Sequence, residues 1–186
     1  AVARVAANDT VGTYTAWIYL DNINSTAKAI LSAGDNNSAT EYLQLKTFSG
    51  KLGIKILWNN VSQFDIITTS NPIEAKTWHH VAIVQNGTRP ILYVDGVAIA
   101  MTDNVSTDLT FWYDELTGCD KFAIGVLESN ATHTLDFKGA IGNVRYYSTN
   151  LTAAEVLEVA RGNYTLTDDT VRQAVLAAAL VFDVRY

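Results

Sequence analysis

Cysteine is nearly absent: Cys119 is the single thiol among 186 residues, so no disulfide can form within the chain. Positive charge is scarce and dispersed. Thirteen Lys plus Arg stand against nineteen Asp plus Glu, a formal net charge of −6 with no basic block. Nucleic acids and anionic membrane surfaces are bound through clustered Lys and Arg, so both are excluded as partners. No apolar run spans a bilayer: the longest, Ala174 to Phe182, is less than half the roughly 20 residues required. The expectation is a soluble chain with no membrane insertion. There is also no initiator methionine and no charged, apolar leader, which predicts a processed chain or a segment of a longer one.

What the chain does have is apolar surface in short pieces. With 48% hydrophobic and 10% aromatic residues it can bury a sizeable core, and its length suits one β domain. Tyr14 to Leu20 (YTAWIYL) has the composition of a strand, followed by the polar loop DNINST and the segment AKAILSAG. Glu41 to Trp58 predicts a hairpin turning at Ser49-Gly50, and Phe64 to Thr69 a strand ending at Asn71-Pro72. Strands are predicted again within Asp120 to Ser129 and Thr134 to Ser148. Between these groups lies KTWHHVAIVQNGTRPILYVDGVAIA, Lys76 to Ala100. Its Asn86-Gly87 and Asp95-Gly96 pairs accept the positive φ angles of tight turns, so this stretch is an antiparallel meander. Short strands at such spacing indicate a sandwich or jelly roll.

The neighbouring His79 and His80 invite a metal or catalytic reading. Successive strand side chains point to opposite faces, so the two rings diverge and cannot share one ion or one proton path. Both are expected to be structural, one packed or hydrogen-bonded inside and one at the surface.

Helical patterns enter late. Thr152 with Glu155 forms a capping box ahead of AAEVLEVAR, and Gly162 stands where that helix should stop, which predicts a helix over 153–161. Thr170 with Gln173 opens a second, VRQAVLAAAL. The closing VFDVRY sets Phe182, Val184 and Tyr186 against Asp183 and Arg185, the alternation of a strand with one buried face. The opening AVARVA has the pattern of a short strand with Arg4 on one face.

Nine of the fourteen asparagines begin Asn-x-Ser/Thr: Asn8, Asn24, Asn36, Asn60, Asn86, Asn104, Asn130, Asn150 and Asn163. Random placement of the 30 Ser plus Thr in 186 residues gives about two such sequons. Asn favours turns and Thr favours strands, which enriches the pattern in any β protein, though hardly fourfold. The excess predicts a secreted chain, extracellular or at a cell surface, N-glycosylated at several of these positions.

TWHHVAIVQNGTRPILYVDGVAIA resembles the laminin-G-like, concanavalin A-like lectin/glucanase domains, which carry a Trp-His-x-Val strand, a turn and a Leu-Tyr-Val-Asp-Gly strand. FKGAIGNVRYYSTNLTAAEV, Phe137 to Val156, is similar to that family's closing segment of a Gly-x-Ile strand, an Arg-x-Tyr strand and a short helix opened by Leu-Thr/Ser-x-x-Glu. The likeness runs over about residues 1–162. It implies an all-β jelly-roll sandwich of two antiparallel sheets with one or two short helices near the C-terminus. Residues 163–186 are then an extension, a helix and a strand that either complete the sandwich or insert into a neighbouring subunit.

The resemblance also implies binding of sugars, proteoglycans or proteins, often with calcium, while some relatives of the fold are glycosidases or polysaccharide lyases. Those glycosidases carry Glu-x-Asp-x-Glu on one strand, a run this chain lacks; its nearest approach, Asp114-Glu115, points apart if extended. No catalytic residue is assigned, and a non-enzymatic chain is expected. Calcium requires six or more converging oxygens. Asn8-Asp9, Asp21-Asn22 and Asp35-Asn36-Asn37 offer some, but Gly142 stands where many members have Asp, so no metal ligand or cofactor is assigned and calcium stays an open alternative. Sugar recognition calls for an exposed aromatic flanked by polar groups. Trp112, Tyr113 and Asp114 in the stretch LTFWYDELTG are the first candidates, Trp58 with Asn59 the second.

The apolar ends suggest a further role. A terminal strand carrying Phe182, Val184 and Tyr186 can be donated to a neighbouring copy, giving a homo-oligomer or an open filament. The leading expectation is therefore a non-enzymatic structural or adhesive extracellular module, self-assembling as a filament subunit, with a carbohydrate-binding lectin-type domain as the alternative and a polysaccharide-active enzyme behind both.

Overall fold

A computed structural model describes residues 2–162 and 180–184. A short helix, α1 (Val2–Ala6), leads into β1 (Gly12–Leu20), β2 (Lys28–Gly34), β3 (Tyr42–Phe48), β4 (Lys51–Trp58) and β5 (Val61–Thr68). There follow β6 (Trp78–Gln85), β7 (Pro90–Val94), β8 (Val97–Ala98), β9 (Met101–Ser106), β10 (Lys121–Ile124), β11 (Leu127–Ser129) and β12 (Thr132–Thr134). The chain then forms β13 (Gly139–Tyr147), α2 (Ala153–Ala160) and β14 (Leu180–Val184). Two six-stranded antiparallel sheets result, ordered β14-β13-β1-β6-β7-β8 and β10-β2-β3-β4-β5-β9, with β11-β12 as a separate hairpin. This is the jelly-roll sandwich that the sequence predicts.

The pleat explains which side chains meet. Along β1, Tyr14, Ala16, Ile18 and Leu20 enter the core between the sheets, which leaves Thr13, Thr15, Trp17 and Tyr19 on the outer face. Val81 and Ile83 of β6 do the same, with His80, Ala82 and Val84 outward. The tight turns follow their residues: Asp95-Gly96 has φ of 52° and 79°, and Ser49-Gly50 has 51° and 75°. Asn59-Asn60, at 49° and 63°, makes a third turn of the same hand between β4 and β5.

Helix α2 starts where its capping box places it. Thr152 N–H donates to Glu155 Oε2 at 2.7 Å, and Glu155 N–H returns to Thr152 Oγ1 at 3.3 Å. Val156 and Val159 then pack on Ala82, Val84, Tyr93, Tyr147 and Leu151, so the helix roofs part of the first sheet's outer face.

One expectation changes, and one strand goes unannounced. AVARVA is a helical turn instead of a strand; its Ala-rich sequence favours helix, and Arg4 reaches Asp9 at 3.3 Å. Strand β9 arises from MTDNVS, an edge segment with no buried alternation to announce it. The closing strand pairs antiparallel with β13 of its own chain, Phe182 opposite Tyr146 and Val184 opposite Val144, which is one of the two placements the sequence left open. The second helix expected from Thr170 and Gln173, together with Asn163 and Tyr186, lies outside the described residues.

Candidate ligand-binding cleft

The imidazole pair diverges as the pleat requires, yet both rings are buried, His79 to 7% and His80 to 1% exposure. His79 Nε2 accepts from the Glu74 N–H at 3.0 Å, so Nδ1 carries the proton and donates to Asp95 Oδ2 at 2.8 Å. The other Asp95 oxygen accepts the His80 N–H at 2.9 Å. Both His79 nitrogens are thus committed to clamping the β7–β8 turn against β6, and no nucleophile joins them. Neither is at the surface, where one of the two was expected, and Trp17 crosses His80 edge-on at 5.6 Å. Burial depresses its pKa to about 4, with the Asp95 carboxylate opposing the shift and Arg145 adding to it.

The first sugar platform expected from the sequence does not exist. Trp112 and Tyr113 are both 0% exposed. Residues 107–120 form a plug that closes one end of the sandwich, with Phe111, Trp112, Tyr113, Leu116 and Cys119 turned into the core. Trp112 Nε1–H donates to Tyr146 Oη at 3.3 Å, Tyr146 Oη–H donates to Asp9 Oδ2 at 2.9 Å, and the Tyr113 and Tyr14 hydroxyls bond each other. Burial raises the pKa of all three tyrosines and of the Cys119 thiol, so these groups stay neutral. A side chain on Gly12 would strike Tyr146 and Trp112, which is why β1 opens on glycine. Asp114 is half-buried, and its raised pKa has the same cause, with Asp108 and Asp9 nearby. The second candidate, Trp58, keeps 37% exposure but leans on Phe111 at 5.8 Å, and Asn59 is an exposed turn residue beside it.

The aromatic platform lies elsewhere, on the outer face of the first sheet beyond the residues that α2 packs on. Trp17 stands opposite Gly142 on β13 and His80 on β6; one step along, Tyr19 stands opposite Ala140 and Trp78. Large rings on β1 and β6 therefore border a floor of small residues on β13. The result is a cleft of about 540 Å³ lined by Trp17, Trp78, Ala140, Ile141, Gly142 and Asn143. Trp78 is 47% exposed, and Tyr19 braces it at 5.6 Å. Asn143, at φ 49° in a bulge where β13 shifts register against β1, supplies the polar group among the described lining. A Cβ added at Gly142 would meet nothing within 4 Å among the described residues, so the cleft opens over that residue. An apolar cleft of this size with one amide at its wall has the dimensions of a small-ligand site. Sequence reasoning passed over these residues, though alternation put Trp17, Tyr19 and Trp78 on one outward face.

Other surfaces offer less. On the second sheet's outer face Lys46 Nζ pairs with Asp65 Oδ1 at 2.7 Å, and Gln44 is only 2% exposed, so its centre is filled by the protein's own groups. Two of the three loops considered for calcium are similarly occupied: Asp9 by Arg4 and Tyr146, and Asp35 Oδ1 by the Asn37 N–H at 2.7 Å. Among the described residues no three His, Cys, Asp or Glu side chains are placed to hold a metal.

The described sequon asparagines are exposed or half-buried, and most share one pole. Gly12 pairs with Gln85, Thr13 with Tyr147, Gly34 with Tyr42, and Trp58 with Val61, so the loops at these ends lie together. Contacts from Gln85 to Phe111, Phe111 to Trp58, Asn60 to Thr40 and Asn130 to Asp35 tie the two sheets there. Asn8, Asn36, Asn60, Asn86, Asn130 and Asn150 all fall on this pole. Asn104 sits on edge strand β9, and Asn24 alone shares the pole of the cleft, where Leu20 meets Gly139.

A family model of laminin G-like type, described as the concanavalin A-like lectin/glucanases superfamily, matches residues 2–157. No curated protein matches the chain. Among solved structures, CBM40 of the Ruminococcus gnavus IT-sialidase is similar over 83% of this chain and 85% of its own, at 17% identity and a TM-score of 0.69. The same module bound to α2,3-sialyllactose aligns at 16% identity over 81% and 82% of the two chains, with a TM-score of 0.67. The heptameric SAP-like pentraxin of Limulus polyphemus is similar over 81% of this chain and 70% of its own, at 19% identity and a TM-score of 0.58. At these identities the likeness is one of fold. No helix among the described residues is long and apolar enough to cross a membrane.

Proposed function

The chain belongs to the concanavalin A-like lectin/glucanases superfamily, and we propose that it is a non-enzymatic, extracellular carbohydrate-binding module whose ligand seats in the Trp17–Trp78 cleft. The observation that carries this reading is the cleft itself. Two indole rings border a floor of Ala140 and Gly142 with the Asn143 amide beside it, the combination of aromatic face and hydrogen-bonding group that sugars require. The fold's likeness to a module bound to sialyllactose supports the same class of ligand.

N-linked glycans at the sequon pole fit this reading, since they leave the opposite pole accessible. A glycan array tests it: wild type retains a subset of saccharides, while Trp17→Ala and Trp78→Ala lose them. Equal retention by both variants removes the cleft as the site. Mass spectrometry of chain from its native source reads the glycans, and unmodified Asn8, Asn36, Asn60, Asn86, Asn130 and Asn150 remove that part.

A further inference from the structure

We infer that Asn104 carries an N-linked glycan that guards an open edge of the second sheet against pairing with another copy of the chain. The inference is independent of the cleft and stands whether or not a sugar binds there. Asn104-Val105-Ser106 is one of the nine sequons, and among the described sequon asparagines Asn104 alone lies inside a strand; the others sit in turns or loops. A preference of Asn for turns accounts for those others. It does not account for Asn104, because asparagine is depleted in strands.

The strand around it is an edge. Among the described residues β9 pairs with β5 and ends the sheet β10-β2-β3-β4-β5-β9. Thr102, Asp103, Asn104 and Ser106 are all exposed, so this edge meets solvent along its length. Such an edge offers its backbone N–H and C=O groups to a strand of a second copy. Two features of the chain already oppose that pairing. Asp65 stands opposite Val105 and Ile66 opposite Asp103, so Asn104 is the extra residue of a bulge, which bends the strand. Arg89 also reaches Asp103 Oδ1 at 2.6 Å, setting an ion pair on the strand. The corresponding edge of the first sheet, β8, is only two residues long and needs no such device. Because the ladder passes over Asn104, its exposed amide can carry a substituent without breaking the pairing to β5. In the modification, Asn104 Nδ2 loses a proton and bonds to the anomeric carbon of an oligosaccharyl diphosphate donor. The carbon–oxygen bond to the donor breaks and the diphosphate leaves, with no change of oxidation state. The glycan then stands out from the edge as a bulky, hydrated group that a second strand cannot approach.

Peptide mapping by mass spectrometry of chain from its native source reads the occupancy of Asn104, and light scattering over a concentration series reads association. Wild type is expected to be modified at Asn104 and to keep the mass of one glycosylated chain. Asn104→Gln and Ser106→Ala, produced in the same source, lose that glycan by two different routes. Both are expected to rise in mass by about twofold or more at high concentration as copies pair, with thermal unfolding unchanged. Ser106→Thr keeps the sequon and stays monomeric. Asn104→Lys replaces the glycan with an edge charge and also stays monomeric, which separates loss of an edge guard from loss of a surface sugar in general. An unmodified Asn104 overturns the inference. So do Asn104→Gln and Ser106→Ala chains that remain monomeric at every concentration, and so does association that Asn104→Lys fails to prevent.

Discussion

Trp112–Tyr113 and Trp17–Trp78 are two aromatic pairs with the same chemistry and opposite fates. The first pair is contiguous in sequence, in a stretch rich in Asp and Glu, and ends 0% exposed with its hydroxyl and indole N–H groups spent on Tyr14 and Tyr146. The second is separated by sixty residues, and strand pairing brings it together on an outer face, where it borders a cleft. What separates them is the neighbour that each ring finds. The plug of residues 107–120 meets an open sandwich end that has to be closed, whereas Trp17 has Gly142 across from it on β13, and Trp78, beside Tyr19, keeps 47% exposure on the sheet's outer face. An aromatic side chain becomes platform or core according to what the rest of the fold sets across from it.

The largest expected effect follows from the buried pair. Trp112→Ala leaves a cavity beneath the plug and costs about 3–5 kcal/mol in urea unfolding, with any surviving folded protein still able to bind glycan. Should it lose binding at full stability, the assignment of the two pairs is reversed.

Next comes acid. An unfolded His80 takes its proton near pH 6.5 and the folded one only near about 4, so the unfolded chain gains protons first as pH falls. Stability therefore drops between those two values, by on the order of 3 kcal/mol in all. Glu41, Asp114 and Glu115 have raised pKa values and act in the opposite sense, so the informative measurement is the difference between wild type and His80→Phe. A flat difference curve from pH 7 to 4 would show that the ring behind Trp17 is not held neutral.

Trp78→Ala is the counterpart on the open pair: a binding loss of about tenfold, near 1.4 kcal/mol, with stability changed by less than that because the ring is half-exposed. Trp58→Ala, at the opposite pole, leaves glycan affinity as it was; a loss there would move the site to the β4–β5 turn. The smallest effect belongs to the roof: Thr152→Ala removes the α2 cap and costs about 1 kcal/mol in thermal or urea unfolding.

Much of the fold was legible because its signals are local. Asp95-Gly96 and Ser49-Gly50 accept positive φ, Thr152 and Glu155 cap one another, and alternation along YTAWIYL divides inside from outside. Strand β9 escaped notice because an edge strand with neither face buried leaves no alternation. The site was half legible. Its outward aromatics followed from the pleat, but Gly142 reads in sequence only as a missing carboxylate, and its role as an opening depends on Trp17 standing opposite it. Trp112 and Tyr113 misled because polar neighbours suggested an exposed loop. The better clue was five apolar residues within that loop, Phe111, Trp112, Tyr113, Leu116 and Cys119, more than a solvated segment carries.

By itself the sequence determined the layers, the turns, the capped helix and the divergence of the paired imidazoles, since each depends on backbone geometry acting over a few residues. Only the tertiary structure decided which tryptophans meet water, that the final strand rejoins its own sheet, and that six sequons gather opposite the cleft. Those outcomes depend on which residue lies across from which, and register between strands distant in sequence is set by the packing of the whole sandwich.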